Sequence, residues 1–197
     1  MIKKKHFTFI LSLVLALIGF CSCSDSASSE DYYGTFDSIF SALKANYSGS
    51  LTLPNNTRKD VSVSIADDVD GSVTSTDVKV NEFPLDGIFS KVYPNDYDGV
   101  SVTSVSAYVS PVDSIGFPTL NCMNFKTNSD NTADVTFSYT KGGVSHSGWT
   151  KISTYGMYFS TTGLLDITFT ISDLVIDNQD MADYVPIVYE LECSKKQ

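Results

Sequence analysis

Apolar and polar residues alternate with a period of two along most of the chain from Tyr47 onward. Such alternation is typical of antiparallel strands that bury one face and expose the other. Turn-forming pairs separate the runs, at Asp70-Gly71, Asp98-Gly99 and Gly142-Gly143. The pattern therefore predicts about nine strands. The apolar positions of the main runs are Leu51 and Leu53; Val61, Val63 and Ile65; Val78 and Val80; Val135, Phe137 and Tyr139; Tyr155, Met157 and Phe159; Leu165, Ile167, Phe169 and Ile171; and Val185, Ile187, Tyr189, Leu191 and Cys193.

The alternation changes phase near Thr103. Val100 and Val102 share one parity, whereas the apolar residues from Val105 to Val109 share the other. One extra residue in a strand moves all later side chains to the opposite face. We therefore expect a β-bulge at this point.

Two segments have helical spacing instead. The first runs from Asp37 to Asn46, and Thr35 or Asp37 can cap it. The second runs from Pro84 to Val92, and proline suits a first helical turn. We therefore expect an all-β fold over residues 32–197, a single antiparallel β-sandwich or calycin-like barrel of about nine strands with one or two short helices. The apolar helical positions are Ile39, Phe40 and Leu43, followed by Leu85, Ile88, Phe89 and Val92.

The N-terminus has the form of a secretory signal peptide. Three lysines, at positions 3–5, precede an apolar run from Phe7 to Phe20. That run is shorter than the roughly 20 residues that a membrane-spanning helix needs. The sequence Phe20-Cys21-Ser22-Cys23 follows it directly.

These residues resemble a bacterial lipoprotein signal with its lipobox, because Ser22 is a small residue immediately before Cys23. The resemblance implies cleavage after residue 22 and acyl chains on Cys23, with Cys21 as the alternative lipidation site. Two or more chains hold a protein stably on a bilayer. Residues 23–31 then form the lipidated cysteine and a flexible acidic tether.

Acidic residues shortly after the cysteine also resemble the surface-export signal of Bacteroidetes lipoproteins. The segments YSGSLTL, from Tyr47 to Leu53, and NEFPLDGI, from Asn81 to Ile88, are similar to uncharacterised lipoproteins of gut Bacteroidetes. That family brings no known activity. The resemblance implies a protein anchored to the outer membrane, on either the cell surface or the periplasmic face.

Charge narrows the range of partners. The chain has 13 basic and 23 acidic residues, and removing the signal takes away three lysines and no acid, which leaves a net charge of −13. Such a surface repels phosphate backbones, so we expect no nucleic-acid partner. The expected partners are the bilayer and a glycan or an envelope protein.

Cleavage of the signal after residue 22 removes Cys21, so the exported chain has two cysteines besides Cys23, namely Cys122 and Cys193. In an oxidising compartment the two thiols can pair as a disulfide. Their apolar neighbours are equally compatible with free thiols packed in the core.

Catalytic chemistry has few candidates. His146 is the only histidine beyond the signal, and its neighbours Ser145 and Ser147 point to the opposite face of a strand. We interpret His146 as an exposed residue of a glycine-rich turn, and we expect neither an enzyme nor a cofactor. Asp67, Asp68 and Asp70 are weak calcium candidates beside Gly71, although their spacing does not match an EF-hand loop.

Aromatic residues near turns favour binding instead. Tyr32, Tyr33, Tyr97 and Trp149 are candidate ligand-binding residues, since flat rings beside polar groups suit sugar stacking or a protein partner. A hydrophobic ligand inside a barrel is another option. The leading hypothesis is a non-enzymatic binding module for a glycan, protein or small ligand. The alternatives are a structural or assembly component of the envelope and, third, an extracellular hydrolase.

Overall fold

The computed structural model describes residues 29–52, 58–70, 73–119, 121–127 and 135–196. The expected signal peptide and both candidate lipidation residues, Cys21 and Cys23, lie outside these ranges. Within them, no helix has the length and apolarity needed to cross a membrane. The chain from Thr35 onward forms one compact unit.

The described residues form mainly strands, as the alternation predicts. The helices are α1 (Ser29–Leu43) and α2 (Asp86–Val92), and Tyr97–Gly99 and Ala182–Tyr184 form single 3-10 turns. The strands are β1 (Asn46–Thr52), β2 (Arg58–Asp70), β3 (Val73–Val80), β4 (Val100–Val105), β5 (Tyr108–Thr119), β6 (Cys122–Thr127), β7 (Val135–Lys141), β8 (Val144–Phe159), β9 (Leu164–Ile176), β10 (Gln179–Asp180) and β11 (Ile187–Lys195).

Eight strands close into a ring. Its order is β9-β11-β1-β2-β3-β5-β6-β8, and β8 pairs with β9 to complete it. Every pairing is antiparallel. Of the two expected architectures, the closed barrel is therefore the one that forms.

The remaining strands extend the sheet beyond the ring. The first half of β8 pairs with β7, from Val144 opposite Lys141 to Thr150 opposite Val135. Strand β4 pairs with β7, and β10 pairs with the end of β9. The register of β4 shifts between Val102 and Ser104, which confirms the expected bulge at Thr103.

Side chains fill the interior of the ring. Among the largest, Tyr47, Tyr108 and Phe125 are at most 1% exposed. The Tyr108 hydroxyl lies 2.6 Å from Thr154 Oγ1 and so avoids the cost of an unpaired buried hydroxyl. The interior is therefore a packed core, and it does not favour the option of a hydrophobic ligand inside the barrel.

One strand faces the opposite way from the prediction. In β8 the buried residues are Thr150, Ile152, Thr154, Gly156 and Tyr158, whereas Tyr155 is 37% exposed. The apolar alternation of Tyr155, Met157 and Phe159 thus marks the outer face. The prediction was wrong because threonine and glycine, rather than large apolar residues, occupy several inward positions of this strand.

Helix α2 packs against one end of the barrel. Phe83, just before it, contacts Phe169 and Tyr189 with ring centroids 5.6 and 5.7 Å apart. Phe89 contacts Phe137 of the extension at 5.9 Å. The helix begins at Asp86 with Leu85 as N-cap, two residues later than predicted, so proline precedes it.

From Thr35 onward, helix α1 packs against the start of β1 and the end of β11. Leu43 is fully buried, and the Tyr47 hydroxyl donates to its carbonyl. The helix starts at Ser29, eight residues earlier than the predicted Asp37, so Thr35 and Asp37 are not caps. It also ends earlier, since Asn46 already pairs in β1. Residues 29–31 of the expected flexible tether are thus helical.

Candidate functional site

A surface cleft lies where α2, the 3-10 turn Tyr97–Gly99, β4 and the start of β2 meet. Its volume is about 390 Å³, within the range of small ligand sites. We call it the α2 cleft. Its polar lining consists of Lys59, Glu82, Asp86, Tyr97 and Asp98, and its apolar lining includes Phe89, Val100, Val102 and Val105.

The polar side of the α2 cleft carries more acid than base. Lys59 Nζ lies 2.8 Å from Asp86 Oδ2 and partly neutralises that carboxylate. Partial burial, together with the nearby carboxylates of Asp86 and Asp98, raises the pKa of Tyr97. Among the described residues, Glu82 and Asp98 have no ion-pair partner. The Tyr97 hydroxyl hydrogen-bonds to Asp86, so what the cleft offers a ligand is the carboxylates of Glu82 and Asp98, which can accept hydrogen bonds or positive charge.

The bulge in β4 builds the apolar wall of the cleft. Without an extra residue, Val105 would point away from Val100 and Val102, because neighbouring parities face opposite sides. The bulge at Thr103 returns Val105 to their side, and all three valines line the cleft. Val102 is 46% exposed and therefore offers apolar surface to a ligand in the cleft.

Of the predicted binding aromatics, Tyr97 and Trp149 do not converge. Tyr97 lines the α2 cleft. Trp149 is half-buried on β8, opposite Thr136 and Val175, and does not line it. Tyr32 and Tyr33 lie in α1, and only the backbone of these two residues is described. The sequence singled out one cleft residue as a binding candidate and missed Lys59, Glu82 and Asp86. Glu82 and Asp86 lie in the segment NEFPLDGI, but its resemblance implies no activity, and the three residues meet only through the fold.

The calcium candidates lie on a strand rather than in a turn, since β2 continues to Asp70. Asp67 accepts hydrogen bonds from Lys44 and Thr76, which lower its pKa. Asp68 accepts one from the amide of Val69. Within the described ranges, no three His, Cys, Asp or Glu side chains converge on a point where a metal ion would bind.

His146 is a fixed residue rather than the exposed turn residue that we predicted. Its Nδ1 lies 2.7 Å from Asp177 Oδ2, and its ring stacks on Tyr139 with centroids 4.9 Å apart. Asp177 also accepts from the Ser147 amide at 3.1 Å. The hydrogen bond with His146 lowers the pKa of Asp177 the most, and the hydrogen bond from the Ser147 amide lowers it further. These contacts tie the β9–β10 turn to β8, which is a structural role.

Cys122 and Cys193 are both buried free thiols, so of the two alternatives that the sequence left open the structure has the free thiols and not the disulfide. Cys122 is on β6 and Cys193 is on β11, with β8 and β9 between them. Three strand spacings amount to about 14 Å along the sheet, well beyond the roughly 7 Å that a disulfide tolerates between Cα atoms. Burial, with Asp166 nearby, raises the pKa of Cys193 to about 11.

Comparisons with known proteins give no further guide to the site. No family model, no curated protein and no solved structure matches this chain. Its function therefore has to be argued from the residues and their geometry.

Proposed function

We propose that the protein is a non-enzymatic binding module of the bacterial envelope, held on the outer membrane by acyl chains on Cys23. Its ligand binds in the α2 cleft. The observation that carries the proposal is the meeting, in one cleft, of Tyr97, two carboxylates without an ion-pair partner among the described residues, and a partly exposed valine wall.

The composition of the cleft suits a ligand that presents polar and apolar groups side by side. Tyr97 offers a flat ring and a hydroxyl, Glu82 and Asp98 accept hydrogen bonds, and Val102 offers an apolar contact. Sugars and extended peptides both present groups in this way.

A binding role fits the rest of the molecule better than catalysis does. The hydrogen bonds described for His146 and Asp177 hold a turn in place, and neither residue lines the α2 cleft. A rigid barrel with its core filled provides a stable support for a surface site. An acyl anchor would hold that site at the membrane surface.

Arrays of glycans and of synthetic peptides, probed with the full-length protein, test this proposal. We expect binding of at least one ligand class, and we expect Tyr97→Ala to weaken it by about tenfold or more, since buried aromatic contacts commonly dominate binding energy. Tyr155→Ala is the matched control, because Tyr155 is an exposed tyrosine on β8 outside the cleft. Binding that both variants retain, or an absence of binding on both arrays, would contradict the proposal.

A further inference from the structure

Strand β4 has a free edge. It stands at one end of the strand order and pairs, among the described strands, with β7 alone. Its outer edge therefore presents backbone amides and carbonyls that a further strand can pair with. Most of its residues are exposed.

This edge lacks the usual protection against strand addition. Natural edge strands commonly carry charged residues, especially lysine, or proline. The sequence of β4 is Val-Ser-Val-Thr-Ser-Val, which contains neither. The bulge at Thr103 is a partial protection, because it twists the strand, but it also turns the three valines toward the cleft.

The α2 cleft adds charge selection to this edge. A strand added beside β4 would point alternate side chains toward the cleft, at a spacing of roughly 6.6 Å. Those side chains would run past the valine wall toward Glu82 and Asp98, two carboxylates without an ion-pair partner among the described residues. Lysine and arginine suit such positions, because their stems cover apolar surface while their charged ends reach carboxylates.

We propose that the ligand of the α2 cleft is an extended polypeptide segment with Lys or Arg at alternate positions, which adds to β4 as a further strand. The inference rests on the proposed function, because it names the ligand class of the same site. Backbone hydrogen bonds to β4 hold the segment, and the carboxylates select its basic side chains.

A second copy of this chain fits the edge less well than a basic segment does. Two copies paired through β4 would bring two sets of Glu82, Asp86 and Asp98 together, with one Lys59 on each side. The chain as a whole is also strongly acidic, with a net charge of −10. Like charges at an interface suppress such pairing.

Titration of the full-length protein with an octapeptide of alternating lysine and threonine tests the inference. We expect saturable binding that weakens about tenfold in the double variant Glu82→Gln and Asp98→Asn, since loss of charge pairs lowers affinity. The octapeptide of alternating glutamate and threonine is the matched control and should not bind. Exchange of Ser101 and Ser104 for lysine should also weaken binding, because edge lysines oppose strand addition.

Backbone methylation of the peptide separates strand addition from simple charge attraction. Two series of peptides are compared, one methylated at the lysine amides and one at the threonine amides. Amides of alternate residues point to the same side of a strand, so only the series whose amides face β4 should lose binding. If both series bind as well as the parent peptide, or if the glutamate peptide binds equally, the inference is wrong.

The outcomes also distinguish the two proposals. Tyr97-dependent binding of a glycan, with no binding of the lysine peptide, would overturn this inference and leave the proposed function standing. Absence of any cleft-dependent ligand would overturn both. A concentration-dependent dimer in sedimentation, broken by Ser101→Lys, would assign the β4 edge to a second copy and contradict the basic segment.

Discussion

At the scale of single residues, the contact between Gly87 and Tyr189 shows how α2 reaches the barrel. A Cβ atom on Gly87 would lie 2.6 Å from the Tyr189 hydroxyl and 2.5 Å from its ring. Tyr189 is itself buried at 4% exposure and has little room to move. Glycine is therefore required here for close approach and not for a turn.

We expect Gly87→Ala to lower the free energy of unfolding by about 1–3 kcal/mol, as overpacking of a core usually does. Without a clash, alanine would stabilise the helix by about 1 kcal/mol relative to glycine. A loss of stability in Gly87→Ala would therefore indicate the clash with Tyr189. Urea denaturation followed by circular dichroism measures it.

The Tyr189→Leu background provides the control for this substitution. Leucine lacks the distal ring atoms and the hydroxyl that a methyl group on Gly87 would meet. In that background we expect Gly87→Ala to be neutral or stabilising. An equal loss of stability with and without Tyr189 would show that the proposed clash is not the cause.

The sequence predicts one half of this contact and not the other. Alternation places Tyr189 on the inward face of its strand, and the structure buries it. Nothing in the neighbourhood of Gly87 indicates its role, because its partner lies about a hundred positions away. Contacts between distant elements follow from the fold and not from local pattern.

At the scale of elements, the β9–β10 turn depends on an electrostatic contact with β8. Asp177 and Asn178 have φ of 51° and 62°, the left-handed region that Asn and Asp tolerate best among non-glycine residues. The hydrogen bond to His146 and the amide of Ser147 both favour the ionised carboxylate.

This contact predicts a dependence of stability on pH. The folded state lowers the pKa of Asp177 below its usual 3.8, so its contribution is complete above that value and is lost as pH falls through the lower, folded pKa. We expect Asp177→Asn to be less stable than the wild type near neutral pH, with a difference that shrinks in strong acid. Urea denaturation across that pH range measures the difference.

Asparagine is the appropriate substitution, because it keeps the left-handed backbone while removing the charge. The expected effect is therefore electrostatic rather than conformational. A stability difference that stays constant from neutral pH to strong acid would show that the Asp177 carboxylate does not act through its ionised form.

Elements differ in how well their sequence predicts them. The bulge in β4 was predictable because a change of parity is visible in the sequence. Helix α1 was predicted too short because its first residues are polar and lack apolar spacing. The facing of β8 was wrong because glycine and threonine occupy inward positions that face aromatic side chains, as Gly156 faces Phe125.

At the scale of the whole molecule, closure of the barrel determines where a site can form. The ring closes through pairing of β8 with β9, and both strands then continue past it to carry β7, β4 and β10. The resulting extension holds β4 beside α2 and leaves its outer edge free. Strand patterns alone left a sandwich and a barrel open, since closure is a property of the whole sheet.

The α2 cleft was beyond prediction for the same reason. Its residues come from β2, the segment before α2, α2 itself, the 3-10 turn and β4, and none of these segments carries a motif that indicates a binding function. Only Tyr97 could be singled out from the sequence, as an aromatic residue beside a turn. The site exists because the fold brings ordinary residues together.

The proposed lipid anchor would decide which ligands the α2 cleft can meet. Metabolic labelling of cells with a fatty-acid analogue should label the wild type and Cys21→Ala, while Cys23→Ala should lose the label. This follows from the small residue Ser22 before Cys23, compared with Phe20 before Cys21. Two acyl chains are needed for stable attachment, so Cys23→Ala should also leave the membrane fraction.

Protease treatment of intact cells, applied to the same three proteins, determines which compartment supplies the ligand. Cleavage of the wild type would place the α2 cleft outside the cell, where extracellular glycans and peptides reach it. Protection would restrict its partners to periplasmic molecules, and a basic segment of an envelope protein would then be the ligand to pursue. Loss of the label in Cys21→Ala but not in Cys23→Ala would contradict the anchor assignment, since the acyl chains would then be on the cysteine that follows a bulky residue.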